Sequence, residues 1–83
     1  MASAENLKRA NELSGEIEAT QRLIPIYREA DEVIVGTKDR IYPRRGLINQ
    51  ITLPAAEIRD RIVAALERRV ADMQAELRQL GVD

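Results

Sequence analysis

Two stretches of the chain repeat apolar residues at the three- and four-residue spacing of an amphipathic helix. In the first, residues 3–24, the apolar face comprises Leu7, Ala10, Leu13, Ile17, Thr20 and Ile24. Ser3 has the side chain of a helix N-cap, and Pro25 opposes a regular continuation of the helix. The pattern therefore predicts a helix over 3–24 that ends or kinks at Pro25.

The second stretch, residues 54–80, carries the longer apolar stripe, with 4-3-4-3 spacing from Leu66 onward that is typical of a coiled-coil heptad seam. Pro54 suits the first turn of a helix, and Gly81 suits its end. Val82 is expected to pack back on Leu77 in the C-terminal cap. The predicted helix is about 40 Å long. Its stripe comprises Ile58, Ile62, Leu66, Val70, Met73, Leu77 and Leu80.

The helical period is lost between these stretches, and residues 25–53 are expected to form a short β-hairpin or an extended segment. Residues 32–35 are rich in β-branched side chains, and residues 36–39 resemble a turn. Residues 40–42 are the expected returning arm. Residues 47–53 partly alternate between apolar and polar side chains, as a half-buried strand does.

These elements predict a mainly α protein with a small β element, in one domain over 1–83: a long helical hairpin joined by the β segment. With 83 residues, no Phe and no Trp, one chain has little material for a core. The first helix is also the shorter and would leave part of the second uncovered. We therefore expect a homo-oligomer whose interface is the seven-residue stripe just given. A monomer whose β segment folds over that stripe is the alternative.

Composition narrows the function classes. The chain has no Cys and no His, so disulfides, thiolate chemistry and the commonest metal ligand are excluded. Its net charge of −1 argues against DNA binding. No apolar run suggests a signal peptide or a membrane span, so a cytoplasmic protein is expected. We predict no enzyme activity and no cofactor. We also predict no metal site, because Glu29, Asp31 and Glu32 lack the ligand count and spacing of a calcium loop.

The segment KDRIYPRRG, residues 38–46, is the most suggestive chemistry in the chain. Residues 38–45 carry a net charge of +3 within a chain of −1. Arginine forks suit phosphate, and a tyrosine ring can stack on a base. Gly36-Thr37-Lys38 lacks the order of a phosphate-binding P-loop, which excludes nucleotide hydrolysis. The candidate residues for an anionic ligand are Tyr27, Arg28, Lys38, Arg40, Tyr42, Arg44, Arg45 and Asn49. Alternatively, the segment is a solvated loop that pairs with nearby acids.

The sequence Ile51-Thr52-Leu53-Pro54, followed by a helix that ends in Leu80-Gly81-Val82, resembles short proteins encoded by tailed bacteriophages. Some small phage proteins are anti-defence sponges, which are helical homo-oligomers that capture the cyclic nucleotides of antiviral signalling. The resemblance implies immune evasion in the host cytoplasm through sequestration of a cyclic nucleotide. The ligand residues named above follow from their chemistry and not from the resemblance.

A structural or adaptor protein is the alternative function. Such a protein would bind another protein through its helical seam or by adding a strand to the edge of its sheet. The helix–hairpin–helix layout also resembles prefoldin-type chaperone subunits, which have much longer coiled-coil arms. The two functions differ in where mutations act: the basic segment matters for a sponge, and the seam matters for an adaptor.

Overall fold

The computed structural model describes residues 3–81 and is dominated by two long helices. Helix α1 spans Ala4–Glu29 and helix α2 spans Ala55–Gln79. Between them, strand β1 (Glu32–Lys38) pairs antiparallel with strand β2 (Leu47–Pro54), and a 3-10 turn at Pro43–Arg45 lies in the connecting loop. The expected mainly α class with a small β element is confirmed.

Helix α1 continues five residues beyond its predicted end, through Pro25 to Glu29. Proline has no N–H to bond the carbonyl of Gln21, which costs stability inside a helix. Pro25 is exposed, so water can reach the carbonyl left without its partner. Ile24 and Tyr27 on either side are half-buried, and their packing extends the helix. The expectation that α1 is the shorter helix is therefore wrong, since the two have 26 and 25 residues.

The helices lie antiparallel and share a narrow core. Leu13 and Ile17 of α1 pack with Val70 and Met73 of α2, and two further residues of the predicted stripe, Leu77 and Leu80, pack against this cluster. The predicted N-cap is confirmed, because the Ser3 hydroxyl accepts a hydrogen bond from the Asn6 N–H. Gly81 ends α2 with a φ of 69°. The cap contact predicted for Val82 lies outside the described residues.

The hairpin is longer than expected and contains a β-bulge. Residues 36–38 belong to β1 and do not form a turn, and residues 40–42 lie in the loop and do not form a returning strand. Val35 pairs with Ile51 and Thr37 pairs with Ile48, so two residues of β2 stand opposite Gly36 alone. The extra residue brings Ile48 onto the same face as Ile51, because side chains otherwise alternate between faces.

The molecule is a thin slab, with principal extents of 48 × 32 × 14 Å and a radius of gyration of 16.2 Å. A compact domain of this length has a radius of gyration of about 12 Å. The accessible surface is 6857 Å², whereas a compact monomer of 9.4 kDa exposes about 5,000 Å². A 14 Å slab is about one helix thick, so the chain provides only one layer of a structure that normally has two.

Candidate binding surfaces

The tip of the hairpin, residues 39–46, is organised by one carboxylate. Oδ1 of Asp39 accepts hydrogen bonds from the backbone N–H groups of Ile41 and Tyr42, at 2.8 and 3.1 Å. This is an Asx turn, in which the side chain takes the place of a backbone acceptor. The Arg45 N–H donates to the Tyr42 carbonyl at 3.0 Å and closes the 3-10 turn. The tip therefore has a defined backbone conformation.

Arg45 is already engaged within the tip. Its guanidinium lies 5.2 Å from the centroid of the Tyr42 ring, within cation–π distance. Its Nη1 also lies 3.8 Å from Oδ2 of Asp39, which makes a loose ion pair. One face of Tyr42 and one edge of Arg45 are thus occupied. This partly confirms the alternative that basic side chains of the segment pair with local acids.

The other basic side chains at or beside the tip differ from Arg45. Among residues 3–81, the structure gives no ion pair to Lys38, Arg40 or Arg44. All three are exposed, and so are Ile41 at 78% and Tyr42 at 60%. The two grooves found elsewhere in the molecule do not include the tip. The tip is a basic and apolar protrusion without surrounding walls, and within one chain it cannot enclose a small ligand.

The structure places the predicted ligand residues in two groups at opposite ends of the hairpin, with Asn49 between them. Lys38, Arg40, Tyr42, Arg44 and Arg45 lie at or beside the tip.

Asn49 lies in the bulge of β2 with a φ of 53°, and its Nδ2 donates to the Thr37 hydroxyl at 3.1 Å. Tyr27 and Arg28 lie at the opposite end of the hairpin, on the last turns of α1. Seven residues of strand separate them from the tip, or about 20 Å. Within one chain, Tyr27 and Arg28 therefore do not adjoin the basic loop.

The foot of the hairpin is the end where β1 follows α1 and α2 follows β2. An arginine that the sequence did not single out contacts the backbone there. Nη2 of Arg59 donates to the carbonyl of Ala30 at 2.6 Å, where α1 ends. The Ala55 N–H donates to the Asp31 carbonyl at 2.8 Å and joins the start of α2 to the same turn. Arg28 pairs with Glu67 of α2 at 2.9 Å. The helical period of the sequence places Arg59 on a face that is expected to be solvated. Its contact with Ala30 depends on how the chain folds.

An open groove of about 310 Å³ runs between the end of α1 and strand β1. Its walls are mostly apolar, and Ile26 and Ile34 are each 61% exposed beside it. The groove is lined by Ile26, Tyr27, Ala30, Glu32, Val33 and Ile34. It lies beside strand β1.

A second open groove, of about 570 Å³, lies between the two helices and has a mixed lining of charged and apolar side chains. At its margin, Nε of Arg9 donates to Oε2 of Glu76 at 2.7 Å. This hydrogen bond lowers the pKa of the Glu76 carboxyl and raises that of Arg9. The contact is a surface ion pair that joins α1 to α2.

The predicted oligomer interface is largely used within the chain. Val70 and Met73 are each 8% exposed and have little surface left for a partner. Ile58, Ile62 and Leu66 are half-buried. That this stripe forms an oligomer interface stays a prediction, and the sheet offers more uncovered apolar surface than the seam does.

Neither a metal centre nor a membrane span is evident in residues 3–81. The described side chains form no cluster of three or more potential metal ligands. Neither α1 nor α2 combines the length and the apolar character that crossing a membrane requires.

Comparisons of the chain with protein-family models, with curated proteins and with solved structures gave no match. The function is therefore inferred from the shape, charge and uncovered groups of the chain itself.

Proposed function

We propose that this chain is a binding and assembly protein that works as a subunit of a homo-oligomer, with the helical hairpin as a rigid support and the β-hairpin as the docking module. The proposal rests on the solvent-accessible surface of the chain, which is larger than that of a compact monomer. The chain exposes about 1,800 Å² more than a compact protein of its mass. A stable interface of standard size buries about 800 Å² per partner.

The location of the uncovered apolar side chains supports assembly through the sheet. Val35 and Ile51 are a cross-strand pair that continues the face formed by Val33 and Leu53. Val33 is buried, but Val35 and Ile51 remain 43% and 57% exposed. An isolated two-stranded hairpin is at best marginally stable in water. A partner that covers this face would stabilise the hairpin as well as the complex.

Sedimentation equilibrium of the purified chain tests the assembly proposal. The expected result is a mass that is a whole multiple of 9.4 kDa, with dissociation on dilution. A mass of 9.4 kDa up to the highest soluble concentration would contradict it.

A second candidate function is capture of an anionic ligand at a subunit junction, and one observation favours it. Three basic side chains at or beside the tip, Lys38, Arg40 and Arg44, make no ion pair within residues 3–81, and the Tyr42 ring of the tip is exposed. A second subunit would supply the wall that the tip lacks. A phage-encoded sponge for cyclic nucleotides, the function expected from the resemblance, is the specific form of this candidate.

Native mass spectrometry with a panel of cyclic di- and trinucleotides, and with inorganic phosphate alone, tests ligand capture. The expected result is a stoichiometric gain of nucleotide mass that Arg44→Ala abolishes. Arg22→Ala is the matched control, because Arg22 lies on the exposed face of α1 and pairs with Glu18. An oligomer that gains no mass from any nucleotide would exclude this candidate and leave the assembly proposal in place.

A further inference from the structure

The outer edge of β1 can be mapped from one hydrogen bond at the foot of the hairpin. The Ala55 N–H donates to the Asp31 carbonyl, and this pair continues the register in which Glu32 faces Pro54. In an antiparallel ladder, pairs that exchange hydrogen bonds alternate with pairs that do not. Val33 therefore directs its N–H and C=O toward β2, whereas those of Glu32 and Ile34 point to the outer edge.

The same alternation shows that the two edges of the sheet are not equivalent. On β2, the outward position at Pro54 has no N–H, and the bulge at Asn49 interrupts the ladder. Proline and bulges are the features that protect an edge strand from pairing. On β1, the outward positions Glu32, Ile34, Gly36 and Lys38 include no proline, and the strand has no bulge of its own. Only β1 presents a regular edge that another strand can join.

We propose, on the basis of the assembly function above, that a second copy of the chain pairs its β1 with this edge, antiparallel, about a two-fold axis at Val35. The two hairpins would then form one four-stranded sheet in the order β2-β1-β1-β2. Val35 is the middle residue of the strand Glu32–Lys38, so this register uses the whole strand. It also aligns outward-pointing residues with one another, as hydrogen-bonded pairing requires.

The charges at the ends of β1 favour this register. An axis at Val35 places Glu32 of one copy opposite Lys38 of the other, and the symmetry repeats the contact. Opposite charges in directly facing cross-strand positions stabilise an antiparallel pair, and like charges destabilise it. Neither residue makes an ion pair within the described part of its own chain. The strand is therefore complementary to itself in charge.

The side chains of the proposed pair also fit. Ile34, which is 61% exposed, would stand opposite Gly36 of the second copy, where no side chain competes for space. The two Val35 side chains would meet at the axis, on the face that Ile51 and Leu53 share. This joins the apolar faces of both hairpins into one surface and covers part of the Val35 side chains, which a single chain leaves 43% exposed.

The pairing also brings together the two groups of predicted ligand residues. Because the strands run in opposite directions, the chain that follows Lys38 of one copy continues past Glu32 of the other toward its foot. The foot carries Tyr27 and Arg28, and the groove beside it is apolar. Ile41 of the second copy, at 78% exposure in one chain, has the chemistry to occupy that groove. A junction of this kind would be made by both chains and absent from either alone.

Charge reversal at Glu32 and Lys38 tests the proposal, because reversing both charges should undo the effect of reversing one. Lys38→Glu places like charges at both symmetric contacts, and Glu32→Lys does the same. We expect each single variant to raise the dimer dissociation constant about tenfold at low salt, and less at high salt where the charges are screened. The double variant Glu32→Lys/Lys38→Glu restores opposite charges and is expected to restore the dissociation constant. Misfolding cannot mimic this rescue, because a second charge reversal does not repair a misfolded chain.

A single cysteine tests the register, since the natural chain has none. Residues facing each other in a pair without hydrogen bonds have Cα atoms about 4.5 Å apart, which is within the range for a disulfide. Val35→Cys is therefore expected to give a covalent dimer on mild oxidation. Ile51→Cys, on the same face but one strand further from the axis, is the matched control and is expected to remain uncrosslinked.

The outcomes separate this inference from the function on which it rests. An oligomer whose mass and dissociation constant are unchanged in both charge variants, and in which Val35→Cys does not cross-link, would overturn the β1 pairing and leave the assembly proposal standing. A parent chain that is monomeric at every concentration would overturn both.

Discussion

Gly36 and Ile48 approach so closely across the hairpin that a side chain at residue 36 has no room. A Cβ atom built on Gly36 would lie 2.9 Å from the carbonyl oxygen of Ile48 and 3.0 Å from the Cβ of Leu47. The bulge of β2 causes this approach, because two residues crowd toward one. Gly36 is thus the residue that permits the bulge, which in turn keeps Ile48 and Ile51 on one face.

We predict that Gly36→Ala destabilises the hairpin by about 1–3 kcal/mol, the usual cost of overpacking. Gly15→Ala is a matched control: nothing lies within 4 Å of a Cβ at Gly15, in the middle of α1. Alanine there is expected to stabilise by up to about 1 kcal/mol through helix propensity. Urea denaturation followed by circular dichroism measures both. Equal effects of the two substitutions would contradict the packing account of the bulge.

Local sequence signals predicted the elements whose stability is local. The helix predicted over 54–80 and the Ser3 cap each depend on a few neighbouring residues, and both are found, although Pro54 ends β2 and α2 begins at Ala55. The path of α1 through Pro25 was missed because packing around Ile24 and Tyr27 outweighs the local cost of proline. That balance depends on a partner surface, which a sequence pattern does not contain.

The local charge of the candidate surfaces is predictable from the sequence, but the distances between their residues are not. The basic character of residues 38–45 follows from composition alone, and the exposed tip agrees with it. The distance between Tyr27 and that tip depends on where β1 begins and ends. The sequence predicts a turn at residues 36–39, whereas residues 36–38 lengthen β1. Arg59 could not be singled out, because its acceptor is the carbonyl of Ala30 in another element.

The core prediction concerns Leu13, the only large side chain that is 0% exposed in the described residues. Leu13→Ala leaves a cavity between the helices, and such substitutions cost about 2–5 kcal/mol. Because the core is small, we expect this change to lower the unfolding midpoint sharply or to prevent folding. Leu7→Ala applies the same change at a side chain that is 48% exposed, and is expected to cost about 1 kcal/mol or less. Comparable losses in the two variants would show that the core does not lie where α1 meets α2.

A pH prediction follows from the ion pair between Arg9 and Glu76. Because the Arg9 hydrogen bond lowers the pKa of Glu76 in the folded state, the pair stabilises the fold above the unfolded pKa of about 4.3. That stabilisation is lost as the pH falls through the lower folded pKa. We expect the melting temperature to fall on acidification, and to fall less in Glu76→Gln. Both side chains are 43% exposed, so the difference should be small and should shrink with added salt.

The control for this pH prediction is Asp60→Asn. Asp60 is exposed on α2 and makes no ion pair within residues 3–81. This variant is expected to keep the same acid-induced fall in melting temperature as the parent chain. If Glu76→Gln and the parent gave parallel curves from neutral to acidic pH, the pair would contribute nothing to stability.

The last prediction separates the two roles of Asp39 at the hairpin tip. Asp39→Ala removes the acceptor of the Ile41 and Tyr42 N–H groups and also the charge that faces Arg45. Asp39→Asn removes the charge but keeps a carbonyl oxygen in the accepting position. We expect the amide protons of residues 41 and 42 to exchange much faster with solvent in Asp39→Ala, and at nearly the parent rate in Asp39→Asn. Residue-resolved NMR hydrogen exchange measures both. Equal acceleration in the two variants would assign the order of the tip to the Arg45 contact, and unchanged exchange in both would show that the Asx turn does not hold the tip.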